Sequence, residues 1–327
     1  MFKLKSITVA LCVTSYGFLT ISTDLGLLYS AHVALKLKSF EWIGLIMGLP
    51  FICNFAFSLT FPGIASLNTL RWYYVIGLAT HCLSMLCIGI LDSMQKDKIY
   101  VILSAVSMAL IGIGYTICSL TIFPIGSCIL NYEGAKNDVT AVLQIAFVVG
   151  HLVSGSIICI SVEVFDFATV YYILGAIQVG LIVLIACSFG ITSTSFDSGP
   201  TSYLQKCKPH LFQSLQFLLL PEAFILAITT AYLATFQTFI SISLAMNLTA
   251  TLKLNECYIG AYVMASSLGL LMAPLISAYF LRIGCLAKLT IAILVTHIFA
   301  IFTFQFATLL TNIIFESLYI THFCMNE

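Results

Sequence analysis

The chain has 327 residues, of which 61% are hydrophobic and 8% charged, and its formal net charge is zero. A soluble domain is about 45–50% apolar and about 25% charged, so 13 basic and 13 acidic residues cannot supply a water-facing surface for a chain of this length. A soluble globular protein, a disordered chain and a nucleic-acid binder are excluded, and a mean hydropathy of +1.09 puts most of the chain in lipid.

The chain opens with a short basic stretch, Met1-Phe2-Lys3-Leu4-Lys5, and an apolar run follows from Ser6 to about Leu28. That run is too long for the roughly 7–15-residue core of a signal peptide, and no A-x-A cleavage pattern closes it, so it reads as a retained first membrane helix. A crossing needs about 20 mainly apolar residues. Ten segments qualify, at about 6–30, 41–61, 72–92, 99–123, 139–162, 168–191, 213–240, 257–280, 286–304 and 306–323. Pro62-Gly63 with Asn68, the stretch from Asp92 to Lys98, that from Asn131 to Asp138, and Asp166 separate the early spans. The expected fold is all-α, a polytopic membrane protein of about ten transmembrane helices. Residues 192–212 are the one long polar connector, so the chain divides into a six-helix half (1–191), a cytosolic linker (192–212) and a partial second half of about four helices (213–327).

Orientation follows from the basic residues. With the N-terminus in the cytosol, the cytosolic side holds Lys3, Lys5, Arg71, Lys136, Lys206, Lys208, Arg282 and Lys288, and the outer side Lys36, Lys38, Lys96, Lys98 and Lys253. Asn247-Leu248-Thr249, a glycosylation sequon, falls on the outer side in the same arrangement. The membrane of residence and the oligomeric state are not legible in the sequence. The 12 cysteines lie mostly in apolar runs without zinc or disulfide spacing, and read as small apolar residues on helix faces. No cofactor or metal is expected.

The second and eighth spans read as equivalents. The former opens Trp42-Ile43-Gly44 and the latter Tyr258-Ile259-Gly260; each reaches a proline (Pro62, Pro274) and then a short turn with an arginine (Arg71, Arg282). This layout resembles the major facilitator superfamily, which carries a G-x-x-x-D-R-x-G-R-R type motif after its second and eighth helices. Gly63 and Arg71 match in the first copy; Arg282, Gly284 and the trailing Lys288 match in the second, where Leu281 replaces the motif's Asp. Between spans four and five, Asn131, Tyr132, Lys136, Val139, Ala141 and Leu143 fit in register the N-F-P-x-x-R-G-x-V-x-G-L loop of nodulin-like facilitators, kin of the monocarboxylate porters. Tyr29-Ser30 with Lys36-Leu37 resembles that branch's first extracellular stretch. The resemblance covers about residues 20–190. It implies twelve helices in two halves, so ten spans make this chain a divergent or shortened member.

Polar groups inside the spans are the candidate site, because a mid-membrane charge costs about 2.5–3.5 kcal/mol on insertion scales. Asp24, two-thirds along span one, reads as a proton-coupling or substrate-orienting carboxylate, or else as an acid at the outer helix end. Glu222, after Pro221 in span seven, is its repeat equivalent, or else a helix-start acid if the helix begins at Pro221. Gln144, His151 and Ser154 share one face of span five, with Gly150 and Gly155 allowing close helix approach. Asn54 and Gln237 are further cavity candidates; His81, His297, Asn312 and Glu316 read as packing or end residues. No Lys or Arg stands mid-span, so a fixed partner for an anion is not visible.

These features favour a secondary transporter that moves a small polar solute by alternating access, with H⁺ as the candidate coupling ion and the lipid bilayer as its surroundings. The alternative is a transport-inactive scaffold or sensor descended from a transporter. No nucleotide-binding motif and no set of catalytic groups near one membrane face is present, so an enzyme is not expected.

Overall fold

The computed structural model describes residues 2–37, 40–64, 69–94, 98–130, 135–191, 220–221, 259–261 and 263–264. All of them fall in one compact unit, Met1–Leu268. Among the described residues there is no strand. Six helices follow one another: α1 (Phe2–Leu37), α2 (Phe40–Ile64), α3 (Leu70–Asp92), α4 (Lys98–Leu130), α5 (Ala135–Val164) and α6 (Phe167–Ile191).

Five of these carry apolar stretches long enough to cross a bilayer: Ser6–Val33, Leu70–Asp92, Lys98–Ile129, Ala141–Ile160 and Phe167–Gly190. Helix α2 contributes a shorter apolar stretch, Trp42–Ser58. The protein is therefore membrane-embedded and multi-pass. Spans seven to ten of the sequence reading lie almost wholly outside the described residues.

The helices run further than their apolar cores. The 36 residues of α1 extend about 54 Å at 1.5 Å per residue, against a hydrocarbon core of about 30 Å. Two expected boundaries move outward for one physical reason. Pro62-Gly63 sits in the last turn of α2 rather than beyond it, and Pro124 lies inside α4, which continues to Leu130. Proline removes one intrahelical hydrogen bond, and membrane helices absorb that loss through neighbouring helices and local adjustments. The connector expected up to Asp138 is likewise shorter, because α5 already begins at Ala135.

The helices pack with a recurring pattern. Helix α1 pairs with α5 as α4 pairs with α2; α1 meets α6 as α4 meets α3; α1 meets α2 as α4 meets α5. The remaining principal pairs, α1 with α4 and α3 with α6, join the exchanged helices to each other. Most of these pairs correspond when α1–α3 and α4–α6 are exchanged, although α3 meets α4 far more extensively than α1 meets α6, and the contacts of α1 with α3 and of α5 with α6 have no counterpart of comparable size. The side-chain register shows direction: Tyr74 meets Cys118 while Ser84 meets Ser107, so α3 and α4 run antiparallel. Ser15 meets Tyr74 while His32 meets Asp92, so α1 and α3 run parallel. With direction alternating along the chain, exchanging α1 for α4 also reverses direction, the arrangement of an inverted three-plus-three repeat.

Two apolar clusters fill the interior at different levels. Leu25, Leu28 and Tyr29 of α1 pack with Ile43, Ile46 and Met47 of α2, Met85 and Ile88 of α3, Met108 and Ile111 of α4, Ile158 of α5, and Tyr171 and Leu174 of α6. Towards the N-terminal end of α1, Cys12, Tyr16 and Leu19 pack with Leu70, Tyr74 and Leu78, Cys118 and Ile122, Val139 and Leu143, and Ile185 and Phe189. Each of five helices thus leaves an interval between its two cluster segments, short on α1, α3 and α4 and longer on α5 and α6. The intervals contain Asp24 on α1, His81 on α3, Tyr115 and Thr116 on α4, His151 and Ser154 on α5, and Gln178 on α6. A polar layer separates two greasy ones.

Many hydroxyls in the spans are satisfied without a partner helix. Thr20 donates to the Tyr16 carbonyl at 3.2 Å, Thr23 to Leu19 at 2.8 Å and Thr116 to Gly112 at 2.6 Å. This back-bonding keeps a hydroxyl from standing bare in lipid. The groups in the polar layer that reach across to other helices are therefore the informative ones.

Candidate functional site

The site is built where α1 and α5 approach backbone to backbone. A Cβ on Gly150 would lie 2.6 Å from the Gly17 carbonyl oxygen and 2.9 Å from Thr20 Cβ, and one on Gly17 would lie 3.1 Å from the Ala146 carbonyl oxygen. Small residues at such a crossing let helices approach closely without lipid between them. One to two turns further along α1, that closeness brings Asp24 against α5.

Asp24 is 8% exposed. Its Oδ2 lies 2.6 Å from His151 Nδ1, an ion-pair contact in which the ring N–H donates to the carboxylate. Ser154 Oγ also bonds the same oxygen. Ser154 Oγ lies 2.8 Å from the His151 carbonyl as well, and its single proton serves one of these acceptors at a time. Both side-chain bonds to Asp24 fall on Oδ2, which leaves Oδ1 for another partner. His151 Nε2 is buried and has no hydrogen-bond partner. Phe147 stands edge-on to the imidazole with ring centroids 4.3 Å apart, which fixes the ring plane. Tyr115 of α4 hydrogen-bonds Tyr16 of α1.

Depth follows from α5. Its apolar stretch runs Ala141–Ile160, and His151 stands at its middle. Asp24, bonded to His151, is level with that midpoint rather than in water at a helix end. A carboxylate held there with an imidazole and a hydroxyl can hold, release or share a proton, and can orient a donor-bearing solute.

The remaining candidates scatter. Gln144 is exposed on α5, about 10 Å along the axis from His151, and does not join the cluster. Asn54 is half-buried on α2, where its Oδ1 accepts from Ser58 Oγ at 3.1 Å within its own helix. Gly63 lies in the last turn of α2 and Arg71, half-buried, in the first turn of α3. Glu222, Gln237, Asn247, Arg282 and Gly284 lie outside the described residues.

The sequence does not single out Tyr16, Tyr115, Gln178 or His32, and names His81 only as a packing or end residue. Tyr16 and Tyr115 look like ordinary lipid-facing or packing aromatics in a one-dimensional reading. His81 and Gln178 clamp α3 to α6: His81 Nδ1 lies 3.4 Å from Gln178 Oε1, and Gln178 Nε2 donates to the Leu78 carbonyl at 3.2 Å. At the far end of α1, His32 Nε2 lies 2.7 Å from Asp92 and its ring stacks on Phe167 at 4.0 Å. Among the described residues no three His, Cys, Asp or Glu side chains gather as a metal site would require.

Fold and site together define a helical membrane protein with a buried acid–imidazole pair at mid-depth. In comparisons with known proteins, no family model matches the chain and no curated protein matches its sequence.

Proposed function

We propose that the protein is a secondary transporter of a small polar solute, coupled to protons through Asp24 and His151. The observation that carries this reading is the buried Asp24–His151–Ser154 cluster, at mid-membrane between two apolar layers. An ionisable pair is expensive at that depth, and such pairs mark proton and substrate pathways. Transporters bind their solute near the midplane, where repeats meet. The exchange-symmetric pairing of α1–α3 with α4–α6 supports a facilitator-like architecture, because inverted three-plus-three repeats make up each half of that superfamily. In this reading the nodulin-like resemblance, the six-plus-four helix layout and a cytosolic N-terminus hold together, and the solute site lies beside α1 and α5.

Three states of the pair suffice for coupling. With His151 as imidazolium and Asp24 as carboxylate, the cluster is neutral and compact. Loss of one proton leaves a net negative charge at mid-depth, which the solute or a returning proton must neutralise. With Asp24 itself protonated, its O–H donates to Ser154, whose proton turns to the His151 carbonyl.

The test is proton movement driven by solute. Full-length protein is reconstituted into vesicles with trapped pyranine and exposed to the small-molecule fraction of a cell extract. A lumenal pH change is expected with the native chain and not with Asp24→Asn. No response from either would favour the transport-inactive scaffold, and equal responses from both would remove Asp24 from the coupling.

A further inference from the structure

We infer that the solute is an organic ammonium that exchanges with the proton at the Asp24–His151 pair, making the protein a proton/organic-cation antiporter; this rests on the transport reading above. The first observation is charge. Among the described residues, Asp24 is the one acid held between the ends of an apolar span. The described basic side chains, Arg71 and Lys98, stand in the first turns of α3 and α4. An anion entering this level would meet a carboxylate whose positive partner is the His151 imidazolium, with no second cation among the described residues to balance it. A cation entering it would neutralise the carboxylate, which is the condition for carrying charge through a low-dielectric interior.

The second observation is hydrogen-bonding polarity. His151 uses Nδ1 toward Asp24, so in the neutral ring Nε2 is a bare acceptor, buried and without a donor. Asp24 takes both of its bonds on Oδ2, so Oδ1 is a second acceptor. The pair thus offers two electron-rich acceptors, which attract the positive charge of an ammonium, quaternary ones included, and repel a carboxylate. Phe147, Tyr16 and Tyr115 supply rings of the kind that accommodate alkylated ammonium groups.

The exchange balances. In the solute-free state the imidazolium is the counter-ion of Asp24. When the ammonium arrives, His151 loses one proton to water, Nε2 becomes an acceptor, and the ammonium takes over as counter-ion. One positive charge replaces one, and no bond other than N–H changes. The titratable groups facing the pair from the packed elements are few. Tyr16 and Tyr115 bond each other and are uncharged near neutral pH. Tyr171 of α6 donates to the Leu25 carbonyl at 2.7 Å, His81 of α3 is tied to Gln178, and the described residues of 259–264 bring no titratable group.

The experiment uses the full chain in two settings, with tetraethylammonium and choline as cation probes and lactate as the anion probe. In weakly buffered detergent solution, a cation probe is expected to bind and release about one proton per molecule bound. In vesicles with an acidic lumen, a cation probe is expected to accumulate at least tenfold over protein-free vesicles, and lactate not. Asp24→Asn should abolish binding. His151→Gln should keep binding while losing proton release, a separation that a merely structural role would not produce. Cation binding without proton release by the native chain overturns the exchange. Lactate uptake without uptake of either cation overturns the cation assignment and leaves the transporter reading standing. No uptake of any probe, together with no solute-driven pH change from the cell extract, brings down both.

Discussion

At the residue scale, the question is what each bond in the polar layer contributes. Ser154→Ala removes one of the two hydrogen bonds to Asp24 Oδ2. Bonds to charged groups contribute about 1.5–3 kcal/mol, so under the proposed transporter function uptake is expected to fall roughly 10- to 100-fold while the protein stays folded. Initial uptake rates beside a thermal melt check this. The His81–Gln178 contact is of another kind, because it ties α3 to α6. Gln178→Leu strands a buried imidazole and should cost about 1–3 kcal/mol. The double variant His81→Leu/Gln178→Leu should regain part of that, and melting midpoints of the four proteins in a mutant cycle measure the coupling. An additive outcome would mean the pair is not a clamp.

The same scale shows why the site was only half visible beforehand. Asp24, His151 and Ser154 stand out because charge and imidazole are rare in apolar runs. Which of them meet is a matter of how helices rotate against one another, and one helix's periodicity does not contain that. Gln144 illustrates the gap: an offset of seven residues places it on the face of His151, yet two turns away along the axis, where it is exposed. Tyr115 is the converse case, a tyrosine in an aromatic-rich chain with nothing in its neighbours to mark it. The flanking glycines were the legible hint, since Gly150 predicts that a backbone comes close, though not whose.

At the element scale, helix–helix distance sets site geometry. Gly150→Val would push a methyl group into the Gly17 carbonyl and Thr20. Overpacking of this kind costs about 1–3 kcal/mol, and the outcome expected is a lower melting midpoint together with lost proton coupling, as α1 moves off α5. Gly180→Ala is the control: a Cβ there meets nothing within 4 Å, so melting and uptake should stay at native values. A second close approach joins α5 to the segment at 259–264, where a Cβ on Gly155 would lie 2.6 Å from the Gly260 carbonyl oxygen and Ser156 Oγ reaches Met264 Sδ at 3.5 Å. Because α5 carries His151 on one side and this contact on another, Gly155→Val is expected to alter the transport rate even though it touches neither Asp24 nor His151. Helix ends were the weaker part of the sequence reading. Prolines 62 and 124 look like stops by soluble-protein habits, yet Pro62 is taken into the last turn of α2 and α4 runs on past Pro124.

At the scale of the whole molecule, the five helices long and apolar enough to cross a bilayer and the shorter apolar stretch of α2 were all legible as apolar runs, because bilayer thickness imposes a length that hydropathy alone detects. Their exchange-symmetric pairing was not, since α1–α3 and α4–α6 share no sequence pattern that announces it. Orientation makes its own prediction. With the N-terminus cytosolic, Asn247, outside the described residues, faces the outer side. Expression in a glycosylating host should then give a band that collapses on glycosidase treatment, and Asn247→Gln should remove the shift. An unmodified band from a chain that reaches the cell surface would argue for the reversed orientation.

The central position of α1 bears on how the protein is made. This helix touches each of α2 to α6, yet its carboxylate finds His151 only 127 residues later in the chain. At about 5–20 residues per second of synthesis, Asp24 waits roughly 6–25 s without its partner. For that interval α1 carries an unneutralised acid at a depth where lipid tolerates it poorly. It must linger at the insertion machinery, or take up a proton, until α5 emerges. Assembly of this bundle is therefore timed by translation. Synonymous changes that slow the ribosome between α1 and α5 should lower the yield of inserted protein, and Asp24→Asn should relieve that sensitivity at the same step where it removes function.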